Sequence, residues 1–191
     1  MTTRTFTVGK NMPPQGVAPA VCLINPKYDR NVSAALRACS CLGAKQLWWT
    51  GNRVRLEEGQ RLPREERMKG YMDVEMRQYD KPFDHFPKCT PVAIEVRENA
   101  IPLSQFEHPE NPLYVFGPED GSIDQKYLRH CHRFVVMETE HCTNLAAAVY
   151  LILYHRRLQL IRDGLLDPYD LVPGVHENRG WADYENTEAI G

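Results

Sequence analysis

An asparagine and an arginine six residues apart, Asn31 and Arg37, lie in RNVSAALRACSCLGA (30–44) among short side chains. At about 100° per residue, Val32, Ala35, Leu36, Cys39 and Leu42 share one helical face. Arg37 points nearly opposite, ringed by Ser33, Ala34, Ser40 and Cys41. A solvated helix face usually carries Glu, Lys or Gln. Short neighbours instead let a ligand or a second backbone come close, with one long cation to meet it. Helix geometry alone leaves two readings open: a solvated arginine, or one aimed at an anion.

Two further stretches carry residues that do chemistry. FGPEDGS (116–122) follows an apolar run directly and holds two glycines, a proline and two carboxylates. It reads either as a tight turn or as a place where backbone approaches a ligand. It lacks the lysine and hydroxyl of a P-loop and the GxGxxG of a dinucleotide site. METEHCTNLAAAVYLILYH (137–155) passes from an apolar run through a polar loop into a long apolar helix. Asn144 there is either a helix cap or a ligand-facing amide, and the helix start offers free backbone N–H groups. His130, Cys131, His132, His141 and Cys142 lie within 13 residues, but in none of the usual zinc spacings, so no metal is expected.

The elements that position these residues follow from the rest of the chain. A length of 191 residues suits one domain with a sizeable core. AVCLI (20–24), KQLWWT (45–50), PVAIEV (91–96), LYVFG (113–117) and RFVVM (133–137) read as short strands. Asn31 is read as the cap of a helix that Gly43 stops near Leu42. A second strong helix is expected over Asn144 to Ile161, buried in its first half, and 62–79 is compatible with a third. Short apolar strands alternating with helices predict an α/β fold with a parallel sheet covered on both faces. Ligands in such sheets gather beyond the strands' carboxyl ends, here after Ile24, Val96, Gly117 and Met137.

Composition narrows the class further. The formal net charge of −2 shows no global preference for nucleic acid. It is uneven, because from Asp163 onward seven acidic residues face only Arg179. The expected organisation is a flexible lead-in over 1–18, a catalytic-sized domain over 19–163 and an acidic tail over 164–191. MTTRTFTVGKNMPPQGVAPA has no apolar centre of a secretory signal. The longest apolar run, Leu145 to Tyr154, is too short to span a bilayer. Six cysteines with no CxxC spacing fit free thiols, hence a cytoplasmic protein.

Together, and in this order, the three stretches resemble the SpoU (TrmH-like) branch of the SPOUT superfamily of RNA 2′-O-ribose methyltransferases. Asn31 and Arg37 match its first motif, VFGPEDG with Gly117, Glu119 and Gly121 its second, and FVVM…CTNLAAAVYLILYH with Asn144 and Leu145 its third. The match runs over roughly 18–163. It departs where Val136 replaces a proline, Cys142 a serine, and Thr143 an apolar residue.

The resemblance implies a parallel-sheet α/β/α domain with a C-terminal deep trefoil knot, working as a homodimer with no membrane or metal partner. It implies methyl transfer from S-adenosylmethionine to a ribose 2′-hydroxyl of RNA, by analogy tRNA. Ile94, Glu95, Gly117, Val135, Thr143 and Leu145 would hold the cofactor, mostly by backbone. Arg37 would meet the RNA phosphate and the attacking hydroxyl, with Asn31, Glu119 and Asn144 holding it and the loops. Arginine is a poor free base, so its part in removing the proton stays open. Phosphate contacts would come from Arg30, Arg53, Arg55, Arg61, Arg64 and Arg67, which are interleaved with Glu57, Glu58, Glu65 and Glu66. Other readings are a base or rRNA as methyl acceptor, a non-catalytic RNA-binding dimer, or a small-molecule-binding α/β protein.

Overall fold

Short runs rich in β-branched and aromatic side chains become strands because those side chains pack on a pleated surface. A computed structural model describes residues 7–8, 16, 18–56 and 74–168. Among them are eight strands: β1 (Thr7–Val8), β2 (Ala20–Leu23), β3 (Gln46–Trp49), β4 (Glu75–Gln78), β5 (Thr90–Ile94), β6 (Ile101–Pro102), β7 (Pro112–Phe116) and β8 (Arg133–Val136). They form one sheet in the order β1-β4-β3-β2-β7-β5-β8-β6. Every pairing is parallel. The five expected strands are all present. The strand order is consistent with the knotted path the resemblance implies.

Among the described residues three α-helices accompany the sheet: α1 (Asp29–Leu42), α2 (Gln125–Leu128) and α3 (Leu145–Arg162). Alternate strand residues face opposite ways and build two cores. On one face Val21, Leu23, Leu47, Trp49, Val92, Tyr114, Phe116 and Val135 meet Leu36 and Cys39 of α1 and Val149, Ile152 and Leu153 of α3. On the other, Ala20, Cys22, Trp48, Ala93, Leu113 and Val115 meet Phe86, Ile123, Tyr127 and Leu128. The central strands are therefore apolar on both sides, as an α/β/α sandwich requires.

Four expectations change. Of the stretch 62–79, read as compatible with a helix, Glu75–Gln78 is instead strand β4, between β1 and β3; 62–73 lie outside the described residues. Residues Thr7–Val8 of the lead-in form a strand paired to β4. Asn31 is not the cap of α1. The helix begins two residues earlier, with Tyr28 in the extended capping position, which leaves the Asn31 amide free for other partners. Finally, α3 is not covered all round: Leu151 and Tyr154 are 44% and 53% exposed. Gly43 ends α1 as expected, at φ 84°. The expected acidic tail is described only as far as residue 168.

The chain divides into two compact units, Met1–Arg156 and Arg157–Gly191. The sheet and the clefts below belong to the first. In the second, α3 closes at Gly164 (φ 70°), where Gly164 N–H donates to Ile161 O and Leu165 N–H to Leu160 O, a Schellman motif. The six cysteines are free, and burial pushes the thiol of Cys131 up to about 12. Among the described residues no helix is long and apolar enough to cross a membrane.

Candidate active site

Because every strand runs the same way, all the loops beyond their carboxyl ends collect at one edge. Three of those loops follow neighbouring strands β7, β5 and β8. Between them and the first turns of α1 and α3 opens a cleft of about 590 Å³, the size of a small-molecule site. Ile94, Glu95, Gly117, Val135, Thr143 and Leu145 all line it. A Cβ on Gly117 would stand 3.2 Å from Ile123 Cγ1 and 3.4 Å from Ile123 N, so the loop is already closed against itself there.

The side chains at the cleft's mouth form one hydrogen-bonded chain. Glu119 accepts from the backbone N–H of Lys27 (2.7 Å) and Tyr28 (3.4 Å), just ahead of α1. It also accepts from Asn31 Nδ2 at 2.6 Å. The other end of the Asn31 amide, Oδ1, accepts from Asn144 Nδ2 at 3.1 Å. Asn144 Oδ1 in turn accepts from Ala146 N–H (2.9 Å) and Ala147 N–H (3.4 Å), which makes Asn144 the cap of α3. A carboxylate that accepts only and a helix end that donates only leave each amide a single orientation. Three stretches distant in sequence are thus tied at one point.

Glu95 completes the frame from below. Its carboxylate accepts from Ile123 N–H at 2.8 Å, and its own N–H donates to Val135 O at 3.0 Å. It therefore links β5, β8 and the end of the FGPEDGSI loop.

A model of the SpoU rRNA Methylase family matches residues 18–154, most of the chain and all of this cleft. The chain belongs to the SpoU rRNA Methylase family. Solved structures agree on the fold. The TrmH/SpoU tRNA modifying enzyme of A. aeolicus is 16% identical, with 80% of this chain and 82% of that one covered, at TM-score 0.65. AviRb of Streptomyces viridochromogenes, solved with AdoMet, is 18% identical, covering 78% and 60% at TM-score 0.62. A structure described as giving insight into 2-OH methylation of C/U34 on tRNA is 19% identical, covering 75% and 96% at TM-score 0.60. No curated protein sequence matches the chain.

Within this SpoU-family chain, Asn31, Glu119 and Asn144 come together. Arg37 is half-buried, lies six residues beyond Asn31 on α1, a rise of about 9 Å, and is not among the residues that line the cleft. Arg30 does line it, with its guanidinium 4.6 Å from the Tyr28 ring centroid. Arg53 is committed elsewhere: its Nη1 and Nη2 donate to Asp120 at 2.9 and 2.8 Å, and Lys27 reaches the same carboxylate at 3.3 Å. The Arg53 hydrogen bonds, followed by Lys27, hold the Asp120 carboxyl down to about 2. Arg55 is exposed. Arg61, Arg64 and Arg67 lie outside the described residues.

Sequence reasoning missed the side chains of Lys27, Asp120 and Glu95 as framework. Asp120 sat beside Glu119 in a motif already singled out, and that adjacency was the available signal. Nothing in its sequence neighbourhood marked Glu95 as a clamp on a loop 28 residues away.

Proposed function

We propose that this SpoU-family chain transfers a methyl group from S-adenosylmethionine to a ribose 2′-hydroxyl of RNA. Support comes above all from the Glu119–Asn31–Asn144 chain, which braces all three motif segments around one cleft. Ile94, Glu95, Gly117, Val135, Thr143 and Leu145 would hold the cofactor. Once bound, its sulfonium supplies the electrophilic methyl group. The protein's contribution is placement: it brings the hydroxyl in line with that methyl group and keeps it there.

Arg37 meets the RNA phosphate and the attacking hydroxyl in this proposal, and does so across a subunit seam. The exposed Leu151 and Tyr154 on α3 favour a homodimer. A guanidinium resists giving up its proton, so it acts by orienting the phosphate and stabilising charge. Arg30, at the cleft, is a phosphate contact; Arg53 contributes by ordering the 117–121 loop through Asp120. We place the enzyme in the cytoplasm with tRNA as substrate, the acceptor named for two of the similar structures.

Arg37→Ala should abolish transfer of tritiated methyl from S-adenosylmethionine to bulk tRNA. Cofactor affinity, by calorimetric titration, should stay within about threefold. An active Arg37→Ala enzyme overturns the assignment. Nucleoside mass spectrometry of tRNA and rRNA with and without the gene identifies the substrate.

A further inference from the structure

The sheet order reverses between β2 and β7: from β2 the chain moves outward to β3 and β4, then returns to build the β7 side. Such a switch point opens a crevice beyond the strand ends. The cofactor cleft occupies one side of it. On the other side, beyond β2, β3 and β4, lies a second cleft of about 960 Å³. Pro118 lines both.

We propose that this second cleft takes the nucleobase of an RNA residue next to the one methylated. The proposal rests on the methyltransferase reading above and adds a second point of contact to it.

The floor is polar and held in place. Asn25 has φ 45°, in the left-handed region, and its N–H donates to Thr50 Oγ1 at 3.1 Å. Gly51 has φ 78°; its N–H donates to Asp80 Oδ1 at 2.8 Å, and its carbonyl accepts from Gln78 Nε2 at 2.5 Å. A Cβ at Gly51 would run into the Asn25 carboxamide. Asn25 is a non-glycine residue held in the left-handed region, and such positions cluster at binding sites.

One wall is aromatic. The Phe83 ring stacks on His130, with centroids 4.6 Å apart and planes 14° from parallel, and Tyr127 lies 6.3 Å from Phe83. Phe83 and His130 are half-buried, so the stack remains partly open. The rim balances its charges, with Lys81, Lys126 and Arg129 against Asp80, Asp84 and Asp124. A balanced rim does not select a phosphate. A flat, uncharged group that stacks and hydrogen-bonds fits the rings and the polar floor, and a nucleobase is such a group. A strand whose target ribose sits at the cofactor cleft needs only to cross Pro118 to place its next base here.

The test uses the full chain and a fluorescein-labelled, mixed-sequence single-stranded RNA 10-mer. Phe83→Leu combined with His130→Ala should weaken binding roughly tenfold by anisotropy, the effect of losing one stacking platform. Cofactor affinity should stay within twofold, and Phe83→Tyr should bind like wild type. RNA affinity within twofold of wild type in the folded double variant overturns the proposal. Should that variant fail to fold, the wild type decides: photocrosslinks from a 5-iodouridine 10-mer to Phe83, Tyr127 or His130 support it, and crosslinks confined to Tyr28 and Arg30 overturn it. A wild type that crosslinks at the second cleft but binds no S-adenosylmethionine removes the methyltransferase reading while leaving the RNA site standing.

Discussion

Asn31 is a middle link, and its value lies in having a donor at one end and an acceptor at the other. Glu119→Ala should cost about 1–3 kcal/mol in chemical denaturation, because three donors lose their acceptor. Asn31→Asp should be worse, since two carboxylates then meet where a 2.6 Å hydrogen bond stood. Combining Asn31→Asp with Glu119→Gln moves the negative charge one link along and restores every link except the long one from Tyr28 N–H, which shares its acceptor oxygen with Asn31. The double variant should recover most of the loss, giving a coupling energy above about 1 kcal/mol in the double-mutant cycle. An additive cycle would show that the amide is not held as described. The residue types of this chain were legible in the sequence, but its partners were not. Asn31 reads equally well as a helix cap, and only the position of Glu119, 88 residues away, takes it out of that role.

Glycines at element ends separate two kinds of constraint. Gly43 is left-handed with nothing within 4 Å of an added Cβ, so Gly43→Ala carries backbone strain alone, about 1 kcal/mol. Gly51 shares the left-handed backbone but abuts the Asn25 carboxamide. Gly51→Ala should therefore lower the denaturation midpoint clearly more than Gly43→Ala; equal shifts would mean the Asn25 side chain moves freely. At this scale the central strands were readable, because burial on both faces demands unbroken apolar runs. β4 was not: only Met76 of Glu75–Gln78 is buried, and Glu, Met, Arg and Gln are all good helix formers. Two-residue β6 and four-residue α2 are too short to show any period.

At the scale of the whole molecule, a tyrosine and two histidines form one hydrogen-bonded chain. Tyr114 Oη lies 2.6 Å from His108 Nδ1, and His108 Nε2 lies 2.8 Å from His155 Nδ1. Burial, with His155 and Arg156 adding to it, brings His108 down to about 3. The folded chain then binds fewer protons than the unfolded chain between about 3 and 6.5. Stability contributed here is complete above that window and falls as pH drops through it. His108→Gln should flatten the change in urea midpoint between pH 5 and pH 7; an unchanged slope would place the titration elsewhere. The α/β/α class was legible from alternating elements, whereas the two clefts depend on which strands become neighbours. The 117–122 loop stands between those clefts. It is tied to α1 through Glu119, to β5 through Glu95, and to Lys27 and Arg53 through Asp120. Anchored on both sides, this loop borders both clefts. By thermodynamic reciprocity, any factor by which RNA tightens the cofactor is the factor by which the cofactor tightens RNA. Order of binding is then a matter of kinetics alone, whichever of the two arrives first.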